Sequence, residues 1–378
     1  MTDAPEPSIL VRAEGGVGRL TLNRPRAINA LDLGMARLIA EALDGWEHEH
    51  GIALVLLDGA GERGLCAGGD VRGLAAQVAS GDAEGAGVFF RAEYALNARI
   101  AEYPKPIVVF ADGITMGGGI GLAGHAAIRI VTERSQLAMP ETRIGFTPDV
   151  GGTWLLAHAP GRLGEYLGMT GVAMDAADAV YTGFADYLVP SERLGDLKNE
   201  LVSVVARRFD SLSLAQRGTR RDETPKGEAR FVSSIRSLID DRGETPPASR
   251  LESAREWIDD AFSADTVADV VERLRARPEP EAAATADLLD ELSPTGLAVT
   301  LASIRRARGL PDLRAALAQE YGLVMWFAQT QPDLVEGIRA QLIDKDRSPR
   351  WQPATTAELA PGAADAAFDY EPRTPLWR

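Results

Sequence analysis

Two glycine-rich turns are the places where this chain's backbone could do chemistry. The stretch "GGGIGLAGH" at 117–125 contains a formal G-x-G-x-x-G at Gly119, Gly121 and Gly124, and it follows the apolar run "PIVVFADG". That is the setting of a dinucleotide-binding turn. Glu141 even stands 22 residues after Gly119, where a ribose-binding acid would be. The remainder of the fingerprint is missing. Only about ten residues separate Met116 from the next predicted strand at Ile128, too few for the crossover helix of a dinucleotide fold. The first strand and turn of the chain carry "NRPRAINAL" in place of the motif. A different use of the glycines fits better. Glycines opening a helix leave unpaired N–H groups at its N-terminus, which form a cradle for an oxyanion or a phosphate. "GLCAGGDVRG" at 64–73 has the same construction: it follows a buried apolar run and opens a helical stretch, with Asp70 and Arg72 beside it. Facing each other across a cleft, two such turns would each offer one N–H to a carbonyl oxygen.

The elements that must position these turns alternate. "SILVRAEGGVGRLTLNRP" reads as a hairpin turning at Gly15 and Gly16. Leu31, Met35, Leu38, Ile39, Ala42 and Trp46 then recur at helical spacing, with Asp32 as the N-cap. "IALVLLDGAG" is a continuous apolar run, as in a strand buried on both faces. A helical segment reaches Ala75, another covers 88–102, and "KPIVVFADG" and "IRIVTERSQLAMPE" supply further strands around the short Gly-rich helix. The order β-β-α-β-α-β-α-β predicts an α/β fold. After about residue 195 the pattern is helical over 196–210, 248–262, 264–276, 284–292, 297–308 and 312–330. The stretch 209–247 is polar, and "TRRDETPKGE" within it reads as a loop.

Composition excludes several classes. Apolar residues make up 45% and charged residues 25%, ordinary for a soluble globular chain. The net charge of −15 argues against nucleic-acid partners and against an anionic membrane surface. No apolar run approaches the ~18 residues that span a bilayer, and the first 22 residues lack the apolar core of a signal peptide. The single cysteine, Cys66, permits no intrachain disulfide and fits a reducing, cytoplasmic setting. Cys66 has no histidine near it in sequence, so a small buried cysteine is expected rather than a nucleophile. His48 and His50, two apart at a helix end, do not share a face, and His125 on the Gly-rich helix is expected to be packed. No metal site is predicted. Neither a G-x-S-x-G elbow nor a phosphate-binding G-x-x-x-x-G-K-[ST] occurs.

Set side by side, "LTLNRPRAINAL", "CAGGDVRG", "ADGITMGGGIGLAGHAAIRIVTE", "LAMPETRIGFTPDVGGTWLL" and "LGEYLGMTGVAMDAADAVYTGFADYLVPSERL" resemble, in order and spacing, the enoyl-CoA hydratase/isomerase (crotonase) superfamily over residues 9 to 195. "FFRAEYALN", "MPETRIGFTPDVGG", "LSPTGLAVTLASIRRA" and "EYGLVMWFAQTQPDLVEGIRAQLIDKDRSPRWQP" extend the resemblance toward its 3-hydroxyisobutyryl-CoA hydrolase subgroup. The resemblance implies an α/β fold with a crotonase-like ββα spiral core over 1–195. A mainly helical C-terminal domain over 196–355 and a loosely ordered tail over 356–378 would follow. It also implies roles. Gly69 and Gly118 match the oxyanion-hole positions. Arg26, Ala27 and Ile28 match the stretch along the CoA nucleotide. Ala67, Asp70 and Val71 match that along adenine and pantetheine, and Gly68, Gly117 and Pro140 join the substrate-binding set. Of the two glutamates that hydratases use, one matches Glu141 and the other matches Gly121, so it is absent. Asp149 stands where hydratases have glycine, and the hydrolase subgroup shows the same Glu and Asp pair.

The implied chemistry is hydrolysis of a 3-hydroxyacyl-CoA thioester, in first place 3-hydroxyisobutyryl-CoA. The two N–H groups would polarise the carbonyl, Glu141 would act as base or nucleophile, and Asp149 would accept a hydrogen bond from the 3-hydroxyl. Phe89, Phe90, Phe146 and Trp154 are the expected lining of the acyl pocket. Coenzyme A is part of the substrate, and no separate cofactor is expected. The alternatives are an enoyl-CoA hydratase or isomerase working with Glu141 alone, and a non-catalytic acyl-CoA-binding protein. The superfamily implies homo-oligomers, an interface that the longer C-terminal region could cover instead.

Overall fold

The computed structural model describes residues 6–215 and 225–377. Strand β1 (Ile9–Glu14) turns back through Gly15 and Gly16, both at positive φ, onto β2 (Val17–Leu22). Helix α1 (Leu33–Glu47) starts as the sequence predicts, with Asp32 Oδ1 accepting the Met35 N–H at 2.9 Å. It carries the chain to β3 (Leu54–Gly59), which pairs parallel to β2. Helices α2 (Val71–Ala79) and α3 (Ala83–Ala101) lead to β4 (Ile107–Ala111), parallel to β3. Strand β5 (Ile114–Met116) and the single-turn-and-a-half α4 (Gly118–Ala123) precede β6 (Ile128–Val131) and β7 (Gln136–Ala138). Helices α5 (Gly152–His158), α6 (Leu163–Thr170) and α7 (Ala176–Tyr181) and the short β8 (Tyr187–Leu188) close this part.

The main sheet runs β1-β2-β3-β4-β6-β8, parallel apart from the opening hairpin. Its central strands are apolar throughout because both faces are covered. Leu54 and Leu56 of β3, with Val108 and Phe110 of β4, pack against α8 (Leu194–Ala215) and α9 (Pro225–Arg242) through Leu197, Leu201, Ile235 and Ile239. Val55 and Leu57, with Ile107 and Val109, face the opposite way into the larger core, which Met35, Ile39 and Leu43 of α1 join. Period-two alternation thus sorts one continuous apolar run into two cores. A second, two-stranded parallel sheet pairs β5 with β7. A parallel bridge from Cys66 to Thr115 and an antiparallel one from Leu137 to Met174 extend it.

The C-terminal helices are α10 (Arg250–Ala261), α11 (Val267–Ala276), α12 (Pro280–Asp290), α13 (Pro294–Ala307), α14 (Leu313–Thr330) and α15 (Asp333–Ile338). They share the larger core with α3, α5 and α6, so apolar packing is continuous across residue 195. The last helix, α16 (Ala363–Phe368), lies on α13 and α14 with Ala367 buried, and Trp377 Nε1 donates to the Arg314 carbonyl at 3.0 Å. The loop expected at 219–228 lies outside the described residues as far as Thr224. From Pro225 the chain is helical, contrary to the sequence reading. Phe231, Ile235 and Ile239 recur every four residues and are buried, a narrow stripe in an otherwise polar segment. Among the described residues no helix is long and apolar enough to cross a membrane.

Candidate active site

The two glycine turns meet. Their strands are joined by the Cys66–Thr115 bridge, and each runs three residues on to its glycine. A Cβ built on Gly118 would lie 3.3 Å from the Gly69 nitrogen. Among the described residues, neither the Gly69 nor the Gly118 N–H donates a hydrogen bond. Gly117, just ahead, is otherwise engaged, donating to the Ala138 carbonyl of β7 at 3.2 Å. Two unpaired donors therefore sit side by side at the edge of a cavity of about 630 Å³.

Most of the residues expected at the site border that cavity. Gly68, Gly69, Gly117, Gly118, Pro140, Glu141 and Asp149 do, and so do Arg26, Ala27, Ala67, Asp70 and Val71. Ile28 does not. It takes a left-handed conformation (φ +47°) and its carbonyl accepts the Ala67 N–H at 2.9 Å, tying the two ligand-facing loops together from behind. Phe89, Phe90 and Phe146 line the cavity as expected, whereas Trp154 does not. The short helix α5 turns Trp154 onto His158, ring centroids 4.3 Å apart, on the other side. The exposed end of the cavity carries Arg24, Arg26 and Arg72, a local positive edge on an acidic protein. Arg24 is braced by Asp32 and Asp70, each at 3.1 Å.

Three buried carboxylates face the cradle. Glu141 opens a single 3-10 turn (Glu141–Ile144) after β7, and its Oε2 has no hydrogen-bond partner among the described residues. Its Oε1 is 3.0 Å from where a Gly117 Cβ would sit, and Gly117 has φ +48°, a backbone conformation that favours glycine there. Asp149 Oδ2 accepts the Tyr94 hydroxyl at 2.6 Å. The third is Glu93 on α3, which sequence reasoning missed. It borders the cavity, its Oε1 is unpaired among the described residues, and that atom lies 2.5 Å from a Gly118 Cβ position. A signal existed in "FFRAEYALN". Phe90, Glu93, Tyr94 and Asn97 share the i, i+3, i+4, i+7 face that α3 buries, and two polar residues on a buried stripe invite the question of what they meet.

No ion pair among the described residues offsets these three charges. Burial pushes the carboxyls of Glu93 and Glu141 well above the usual range, and the neighbouring Asp149 charge adds to both. Burial pushes Asp149 up to about 7, with the Tyr94 hydroxyl working in the opposite direction. Near neutrality the group therefore retains at least one proton and titrates as a unit.

Gly121 is enclosed. A Cβ there would meet Asn97 Nδ2 at 2.7 Å and Val150 Cβ at 2.8 Å, so any side chain at this position would have to displace both. Cys66 is packed as expected: fully buried, its thiol pushed up to about 12, its Sγ 3.5 Å from the Gly68 carbonyl. His125 is also a packing residue, with Nε2 2.8 Å from the Val150 carbonyl.

The sequence profile described as enoyl-CoA hydratase/isomerase matches residues 17–368. The mitochondrial 3-hydroxyisobutyryl-CoA hydrolase of Danio rerio is 36% identical over 360 residues, 95% of this chain and 89% of that protein. The Homo sapiens enzyme of the same name is 35% identical over 358 residues, covering 95% and 87%. Their names place them in mitochondria, so the expected cytoplasmic setting gains nothing from them. Among solved structures, a carnitinyl-CoA dehydratase from Mycobacterium thermoresistibile superposes with a TM-score of 0.86 at 42% identity, covering 98% of both chains. An enoyl-CoA hydratase from Rhodobacter sphaeroides superposes with a TM-score of 0.82 at 40% identity, covering 96% and 97%. The crotonase architecture with its helical C-terminal region is thus shared along almost the whole length, and this chain belongs to the enoyl-CoA hydratase/isomerase family.

Proposed function

We propose that this protein hydrolyses the CoA thioester of a 3-hydroxyacyl group, with 3-hydroxyisobutyryl-CoA as the substrate. The observation that carries the reading is the closed space at Gly121. Hydration needs a water held between two acid–base groups, and Gly121 supplies none where the resemblance to hydratases implies one, the space for its side chain being occupied by Asn97 and Val150. Hydrolysis needs less. The thioester oxygen lies between the Gly69 and Gly118 N–H groups, where developing negative charge is stabilised; one such donor typically contributes ~2.7–4 kcal/mol. Glu141 attacks the carbonyl carbon, or takes the proton of a water that does. The C–S bond breaks and CoA leaves as its thiol, carrying the proton taken from the water; where Glu141 itself attacks, water then hydrolyses the acyl–glutamate anhydride, which restores the carboxylate and supplies the proton of the thiolate. Asp149, held by Tyr94, accepts a hydrogen bond from the 3-hydroxyl. The arginines at the cavity mouth suit the phosphates of CoA, and no further cofactor is invoked. The names of the Danio rerio and Homo sapiens relatives support the same substrate.

The test is free-thiol release from 3-hydroxyisobutyryl-CoA and isobutyryl-CoA. Glu141→Ala is expected to lose at least ~10²-fold in kcat, and full activity in that variant would refute the assignment. Asp149→Asn is expected to erase most of the preference for the hydroxylated substrate, since a site built around a hydroxyl can reject its absence by up to ~10⁴-fold. A second reading, a hydratase, is favoured by Glu93, which supplies a second carboxylate beside the cradle from α3. Loss of enoyl absorbance from crotonyl-CoA without thiol release would establish that reading instead.

A further inference from the structure

Asp149 begins a turn that its own sequence disfavours. Val150 is β-branched yet has φ +55°, and Gly151 follows at φ +77°, two left-handed residues in succession. Such a backbone persists only where the surroundings over-determine it. The surroundings here are remote in sequence. The Gly151 N–H donates to Glu320 Oε2 at 2.6 Å, and the Thr153 N–H and hydroxyl donate to Glu320 Oε1 at 2.8 and 2.5 Å. Glu320 is on α14 and fully buried. Among the described residues no arginine or lysine pairs with it, so its carboxylate is spent on this turn alone. The same helix reaches Asp149 from a second side. Tyr321 packs edge-on against Tyr94, ring centroids 6.3 Å apart at 85°, and Tyr94 holds the Asp149 carboxylate. Tyr321 is itself fixed by Arg91 at 2.6 Å.

We propose that Glu320 is a positioning residue for Asp149, so that α14 sets where the substrate's 3-hydroxyl is held. This rests on the role given to Asp149 above. Three donors converge on Glu320, one on Oε2 and two on Oε1, so both oxygens of its carboxyl group are used. Glutamine offers one oxygen and turns an NH₂ group against the remaining donors. A turn freed on that side lets Asp149 move, and a displacement of about 1 Å at a reacting or recognition group can cost on the order of 10²-fold.

The experiment measures kcat/KM for 3-hydroxyisobutyryl-CoA and for isobutyryl-CoA in wild type, Glu320→Gln, Thr153→Val and Asp149→Asn. Glu320→Gln is expected to lower the ratio of the two by about tenfold or more. A purely structural Glu320 would lower the active fraction and so reduce both substrates by one factor. Thr153→Val removes one of the three donors and keeps both backbone bonds. It is expected to lower the ratio by a smaller factor, and it decides the matter if Glu320→Gln does not fold. A wild-type ratio in the folded Glu320 and Thr153 variants, beside a collapsed ratio in Asp149→Asn, overturns the role of Glu320 and leaves that of Asp149 standing. A wild-type ratio in Asp149→Asn overturns the role of Asp149, and that of Glu320 with it.

Discussion

Replacing Tyr94 by phenylalanine isolates the electrostatics of the site from its shape. The hydroxyl donates to Asp149 Oδ2 at 2.6 Å, and both side chains are buried, Tyr94 at 0% and Asp149 at 6% exposure. The ring stays packed on Phe90 and Tyr321, with centroids at 5.9 and 6.3 Å, so Tyr94→Phe should fold. What is lost is one hydrogen bond to a buried charge, worth ~1.5–3 kcal/mol. That bond favours the ionised form of Asp149, so its loss raises the carboxyl further. At ~1.4 kcal/mol per pH unit, the rise is about one to two units. In the wild type, thiol release should climb with pH through neutrality, because Asp149 lies at about 7 and the buried carboxylates must give up their shared proton. In Tyr94→Phe the climb should move upward by one to two units. Activity at pH 7 would then fall about 5- to 50-fold, because the wild-type group is already half protonated there, and recover in alkaline buffer. The assay is kcat/KM for thiol release from about pH 5.5 to 9.5, corrected for uncatalysed hydrolysis, with the limb assigned to the free enzyme. A limb that stays in place, or that moves to lower pH, refutes the claim that Tyr94 sets the charge of the site.

Two further outcomes are expected. Gly118→Ala places a methyl 2.5 Å from Glu93 Oε1 and 3.3 Å from the Gly69 nitrogen, inside the cradle. It should cost ~10²–10³ in kcat while CoA itself still binds, measured by isothermal titration. Stability should fall as pH rises from about 4.5 to about 8, because folding raises Asp149 from 3.8 to about 7 and Glu320 from 4.5 to about 8. The native state therefore holds protons that the unfolded chain has released, and that advantage is complete only below the unfolded values. Melting temperatures across this interval should decline, and Glu320→Gln should flatten the alkaline part of the decline. A rise in melting temperature over the same interval would contradict it.

The strands were legible because burial on two faces forces unbroken apolar runs, as in "LVLL" and "IVVFA". The cradle was legible as glycine clusters, although only family resemblance singled out Gly69 and Gly118 among their neighbours. Glu93 was not, because what gives it meaning is its approach to Gly118 across the cavity, a contact that no local pattern encodes. Trp154 misled for the converse reason. Its position in the chain is close to Asp149, but one turn of α5 directs its ring elsewhere. Helix α9 was hidden by its polar surface, since three apolar residues suffice to cover a sheet that is already apolar.

The bridge between Cys66 and Thr115 has a bearing on biogenesis. Gly69 and Gly118 each follow their bridged residue by three positions, so the spacing of the two N–H donors is inherited from a single parallel pairing. Slipping that pairing by one residue would shift one donor by ~3.3 Å and send its strand's side chains to the opposite face. Helices and bulk compactness could survive such an error, but the cradle could not. Specific activity per folded molecule therefore doubles as a gauge of register fidelity, and during refolding it should be the last property to return, after helicity and tryptophan emission have reached their native values.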